Sequence, residues 1–169
     1  RNSDKYIKLR NRVKYARNKS ADLFISIHAD STLNKQTNGT SIYSLSEKAS
    51  DKLSQALADR DNKSDLIAGL DLDDLDKDVS DILIDLSRRE TKNSSINFAE
   101  LFISYLGKQK FNLLRRPHRQ AGFAVLKAPD VPSVLIEMGF ISNNSDLKKL
   151  TNLEFQKKLM KNIANIIEK

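Results

Sequence analysis

Residues 21–31 read ADLFISIHADS, a short apolar run rich in Ile and Phe that stops at a histidine. A nearly unbroken apolar run of this length reads as a strand buried on both faces, as in a parallel sheet covered by helices. His28 falls where the strand stops. In open α/β sheets ligands bind in the crevice beyond the carboxyl ends of the strands. A histidine there, with Asp30 and Ser31 behind it, is a candidate metal ligand or catalytic residue. A hydrogen-bonded structural histidine accounts for the same position, and the residues of this stretch leave both readings open.

Residues 131–143, VPSVLIEMGFISN, repeat the design. Pro132 opens an apolar run, and Glu137 stands where the run stops, just before Gly139. If the two strands are neighbours and parallel, His28 and Glu137 emerge at one edge of the sheet and face one crevice. A carboxylate partly withdrawn from water titrates nearer neutrality, which suits a general base acting on a metal-bound water. The alternative for Glu137 is a carboxylate that caps the turn through the Gly139 backbone.

Through ADLFISIHADS and AGFAVLKAPDVPSVLIEMGFISNNSDLKKL (residues 121–150), the chain resembles the zinc-dependent N-acetylmuramoyl-L-alanine amidases of the amidase-3 type, specifically the division-associated subgroup. The resemblance covers essentially the whole chain. It implies an α/β fold, a mostly parallel sheet flanked by helices. Position by position it makes His28 a zinc ligand and Glu137 the catalytic glutamate. The implied reaction is hydrolysis of the amide between N-acetylmuramic acid and the L-alanine of the peptidoglycan stem peptide. Zinc would polarise the carbonyl and acidify its bound water, and Glu137 would take the proton and return it to the leaving amine.

The same resemblance places two further ligands, a histidine in a glycine-rich turn and a glutamate on the first helix, upstream of Arg1. Residues 1–169 are therefore expected to be an amidase-3 catalytic domain lacking its N-terminal part. A catalytic zinc wants three protein ligands and an open position. His118, in RRPHRQ, matches no ligand position. The subgroup also carries a helical insert, here about residues 62–92, from which a carboxylate blocks the zinc until an activator protein withdraws it. Glu90 is the expected blocking residue, with Asp81 and Asp85 as alternatives on the same segment and a surface ion pair with Arg88, Arg89 or Lys92 as the plain one. A non-catalytic peptidoglycan-binding or regulatory remnant is the rival to the enzyme.

At 169 residues and 39% hydrophobic, the chain suits one domain with a real core. No run approaches the about 18 apolar residues of a membrane span, and none resembles a signal peptide. The periplasmic or otherwise extracytoplasmic location is implied by the resemblance. The absence of cysteine excludes disulfides and thiolate metal sites. The net charge of +7 suits nucleic acid, an anionic glycan or a membrane surface equally. It is unevenly spread, because residues 64–87 hold eight Asp against Lys77 alone. KQKFNLLRRPHRQ lacks glycine-spaced aromatics and a recognition-helix pattern, so nucleic acid is not an expected partner.

Along the chain, periodicity predicts a helix over residues 5–19 capped by Asp4, the central strand to His28, and a strand over 40–45. A helix that Ser46 with Glu47 starts, running to about Asp61, follows, then a loop over 62–76 and a helix over 78–89. Ser94 or Ser95 is expected to cap a separate helix ending near Gly107. Residues 111–120 read as a basic connection and 123–126 as a strand. A short turn over 146–150 and a closing helix over 153–167 complete the domain.

Overall fold

The computed structural model describes residues 5–64 and 81–168, with the side chains of 81–87 excepted. Helices α1 (Leu9–Asn18), α2 (Lys52–Asn62), α3 (Asp81–Lys108), α4 (Asn144–Leu150) and α5 (Leu153–Ile167) accompany strands β1 (Phe24–His28), β2 (Thr40–Leu45), β3 (Leu113–Ala121) and β4 (Ser133–Glu137). A 3-10 turn covers Ala124–Leu126. The chain forms two compact units, one of Arg1–Phe24, Leu45–Ser94 and Gln120–Ser133, the other of Ile25–Ser44, Ser95–Arg119 and Val134–Lys169.

In the first unit α1 and α2 both pack on the 3-10 turn. Leu9 and Ala16 of α1 are buried, as are Leu57 and Ala58 of α2 and Val125 and Leu126 of the turn. Helix α2 starts later than expected because Asp51, not Ser46, caps it, accepting the Ser54 N–H at 2.9 Å. Asn62 fastens the 3-10 turn, donating to Gly122 O at 2.8 Å and accepting the Ala124 N–H at 2.7 Å. These bonds belong to a turn and not to the strand expected over 123–126. Helix α1 starts at Leu9 with no side-chain cap. The proposed cap Asp4 lies outside the described residues.

The sheet, most of whose residues belong to the second unit, has the order β1-β4-β2-β3. Two of its three neighbour pairs are parallel. Phe24 N–H donates to Pro132 O and Met138 N–H to His28 O, so β1 and β4 run together, and bonds from Thr40 to Asn112 and from Ser46 to Ala121 do the same for β2 and β3. Strands β2 and β4 are antiparallel, with Ser41 opposite Glu137 and Ile42 opposite Ile136. On one face Ile42, Val134 and Ile136 meet Ala99, Phe102 and Leu106 of α3 and Leu159, Ile163 and Ile166 of α5. The helical spacing of both triplets is the physical reason each helix lies flat on the strands. Full burial of a side chain such as Phe102 contributes roughly 1.5–3 kcal/mol.

Three further expectations are corrected. β1 is not central: it ends the sheet order among the described residues, and Ile27 is 46% exposed. The basic stretch 111–120 is largely strand β3, at the other end of that order. An edge tolerates Pro117, which lacks a donor, and exposed Arg115 and Arg116 discourage a further strand from adding. The two helices expected over 78–89 and from 94 or 95 are one, α3, 28 residues long. Lys92, Asn93, Ser94 and Ser95 are polar, but none breaks a helix. Most of the insert expected about 62–92, including its acidic loop, lies outside the described residues.

Candidate active site

His28 closes β1 and Glu137 closes the adjacent parallel strand β4. The structure brings the two strand ends together, joined by the Met138 N–H donating to His28 O at 2.9 Å. Glu137 is 1% exposed. Its Oε2 accepts the Asp30 N–H at 3.1 Å, which fixes the carboxylate toward the loop that follows His28. His28 Nε2 lies 2.8 Å from Ser26 Oγ, two residues back on the same face of the strand. A metal bound through that nitrogen would displace the hydroxyl.

The loops beyond the two strands are laced together. Asp30 O accepts the Ile141 N–H at 2.8 Å, Ser142 Oγ accepts the Thr32 N–H at 3.0 Å, and Asn143 Nδ2 donates to Lys35 O at 2.8 Å. Backbone amides held in this way pre-organise a carboxylate at low entropic cost. A buried carboxylate oriented by an amide is chemically suited to accept a proton from water and release it again.

Glu90 is exposed on α3 and belongs to the first unit, and His28 and Glu137 to the second. His118 lies on β3, separated from β1 in the sheet order by β4 and β2, and its Nε2 is 2.9 Å from Ser44 Oγ. Burial holds the His118 imidazole below its ordinary 6.5, with Glu100 opposing the shift. Among the described residues no three His, Cys, Asp or Glu side chains converge as a metal would require. They do not by themselves assemble the three protein ligands of a catalytic zinc. Asp146, which the sequence marks only as the start of a helical turn, is a buried carboxylate in the first turn of α4.

A family model described as Amidase_3, N-acetylmuramoyl-L-alanine amidase, matches residues 1–169. The N-acetylmuramoyl-L-alanine amidase AmiC of Escherichia coli O6:H1 is 40% identical over 164 residues, 96% of this chain and 39% of that protein. AmiA of Escherichia coli K12 is 36% identical over 165 residues, 97% of this chain and 57% of that protein. The chain thus spans between about two-fifths and three-fifths of these relatives. Among solved structures, the catalytic domain of CwlV, an amidase of Bacillus (Paenibacillus) polymyxa var. colistinus, matches with a TM-score of 0.64 at 24% identity, covering 99% of this chain and 67% of that one. Ami1 of Mycobacterium smegmatis matches with a TM-score of 0.66 at 17% identity, covering 99% and 63%. These two likenesses are of fold. Because the family model spans every residue, and relatives at 36% to 40% identity align over nearly the whole chain, the protein belongs to the Amidase_3 family of N-acetylmuramoyl-L-alanine amidases.

Proposed function

We propose that the chain is the working part of a peptidoglycan amidase, which cleaves the amide between N-acetylmuramic acid and the L-alanine of the stem peptide. The observation that carries this reading is the family match over residues 1–169. The buried, amide-held carboxylate of Glu137 at a strand end supports it. Glu137 acts as general base: it takes a proton from the attacking water as oxygen bonds to the amide carbon. When the carbon–nitrogen bond breaks, the proton passes from Glu137 to the leaving nitrogen. The products are a lactyl carboxylate and a free amino group on L-alanine.

His28 is assigned as one protein ligand to zinc, in a ligand set that the described residues do not complete. Glu90 is assigned as the carboxylate that restrains the enzyme until an activator protein engages the insert. The same reading puts the enzyme outside the cytoplasm, in wall remodelling and separation of daughter cells.

The test is turnover of dye-labelled sacculi by the full-length protein. Glu137→Gln should retain zinc and lose about 10²- to 10⁴-fold in rate, because an amide does not accept the proton. His28→Ala should lose zinc as well. Wild-type turnover by Glu137→Gln would overturn the assignment of the base.

A further inference from the structure

Asn143 opens α4, accepting the Ser145 and Asp146 N–H groups, and the first turn of the helix carries Asp146. An acidic residue there ordinarily faces water and complements the helix dipole. Asp146 is instead 3% exposed, and its Oδ2 accepts two amides from outside its own helix. Gly39 N–H donates at 2.7 Å and Phe140 N–H at 3.1 Å. Lys149 Nζ stands 4.0 Å from the other oxygen, Oδ1.

The two amides belong to the segments on either side of Glu137. Gly39 lies two residues before Ser41, the cross-strand partner of Glu137, and Phe140 lies three residues after Glu137. A third tie closes the same gap, as Thr40 Oγ1 donates to Met138 O at 3.0 Å. The seat is tight. Gly139 has φ +153, and a Cβ there would stand 3.0 Å from Asp146 Oδ2 and 3.2 Å from its Cγ. Burying a carboxylate is costly, and a single oxygen that accepts two amides recovers the cost through charge-assisted bonds.

We infer that Asp146 is a positioning residue for Glu137, its carboxylate clamping the backbone that enters β2 to the turn that leaves β4. This rests on the reading of Glu137 as the base. With the clamp in place, both backbone neighbours of Glu137 are fixed before substrate arrives. Without it, the turn from Met138 to Phe140 is held to the start of β2 by the Thr40 bond alone, and the carboxylate no longer returns to one position at each turnover.

The test compares Asp146→Asn with wild type in the full-length protein on labelled sacculi. Asn is isosteric, so it keeps the fold and weakens the clamp. Its kcat should fall about tenfold with KM within about twofold of wild type. The isosteric Thr40→Val, which removes only the third tie, should lower kcat in the same direction and by less. Added to Glu137→Gln, Asp146→Asn should cost nothing further, since both act through one group. A rise in KM, a loss of thermal stability with kcat unchanged in both variants, or losses that multiply in the double variant would overturn the inference. Wild-type turnover by Glu137→Gln would instead sink the base assignment itself, so the two failures are told apart.

Discussion

Gly39 precedes β2 at a point where the chain passes against the start of β3, and replacing it by alanine has a cost that the geometry predicts. Its φ is +101, a region that L residues enter at a cost of roughly 1–3 kcal/mol. A Cβ would stand 2.7 Å from both the Leu113 carbonyl carbon and the Leu114 nitrogen, and 3.0 Å from Leu113 O. These are backbone atoms of a paired strand, so relief requires moving the strand. Overpacking of this kind costs about 1–3 kcal/mol more. The sum of about 2–6 kcal/mol, at ~2–4 °C per kcal/mol for a chain of this size, lowers Tm by at least about 4 °C. Any displacement of Gly39 also pulls its N–H from Asp146, so activity should fall with stability. Differential scanning calorimetry of Gly39→Ala against wild type measures the first effect. Gly107→Ala is the internal control: it is helical, and its nearest new contact is Leu113 Cδ1 at an ordinary 3.8 Å. That variant should be stabilised by about 0.5–1 kcal/mol through helix propensity. A Gly39→Ala protein melting within about 2 °C of wild type would refute the reasoning, since no arrangement of the β3 backbone seen here accepts that atom.

Glu90→Ala in the full-length protein should raise turnover measured without any partner, as expected of a removed blocking carboxylate; unchanged turnover in Glu90→Ala together with a rise in Asp81→Ala or Asp85→Ala would move the role along α3. His118 predicts a pH dependence of stability whose sign follows from burial. Its folded pKa lies below the ordinary 6.5, so as pH falls the unfolded chain takes up the proton first and unfolding is favoured. The stabilisation is present above 6.5 and is lost as pH falls through the lower, folded value. Urea midpoints at roughly pH 8 and pH 5.5 should therefore show wild type losing its advantage over His118→Gln at the lower pH. A difference between the two proteins that stays constant or widens on acidification would contradict the assignment.

Much of the fold was legible because apolar pattern and local chemistry agree. The pattern predicts β2 over residues 40–45, where it forms, and α5 over 153–167, with Leu159 and Ile163 on its inner face. Apolar runs report burial, not conformation, so the buried Val125 and Leu126 of a 3-10 turn look like a strand. The opposite holds for β3: Arg115, Arg116 and Pro117 conceal a strand because an edge demands no alternation and no donor at every residue. In α3 a polar stretch without Gly or Pro reads as a boundary, although nothing in it stops a helix.

By itself, then, the amino-acid order determined that two apolar strands end in His28 and Glu137, that helices with apolar stripes flank them, and that the chain resembles the amidases. These are local properties, set by spacing along the chain. Only the tertiary structure decided that β1 and β4 are parallel neighbours, so that the two chemical groups emerge at one edge. It also decided that β2 runs antiparallel to β4, which sets Ser41 opposite Glu137 and carries Gly39 to the Asp146 carboxylate. Strand order and the partners of a buried carboxylate depend on residues about a hundred positions apart, as Gly39 and Asp146 are. Loop closure over that distance leaves no periodicity in the sequence, and it is stabilised only when the whole core packs.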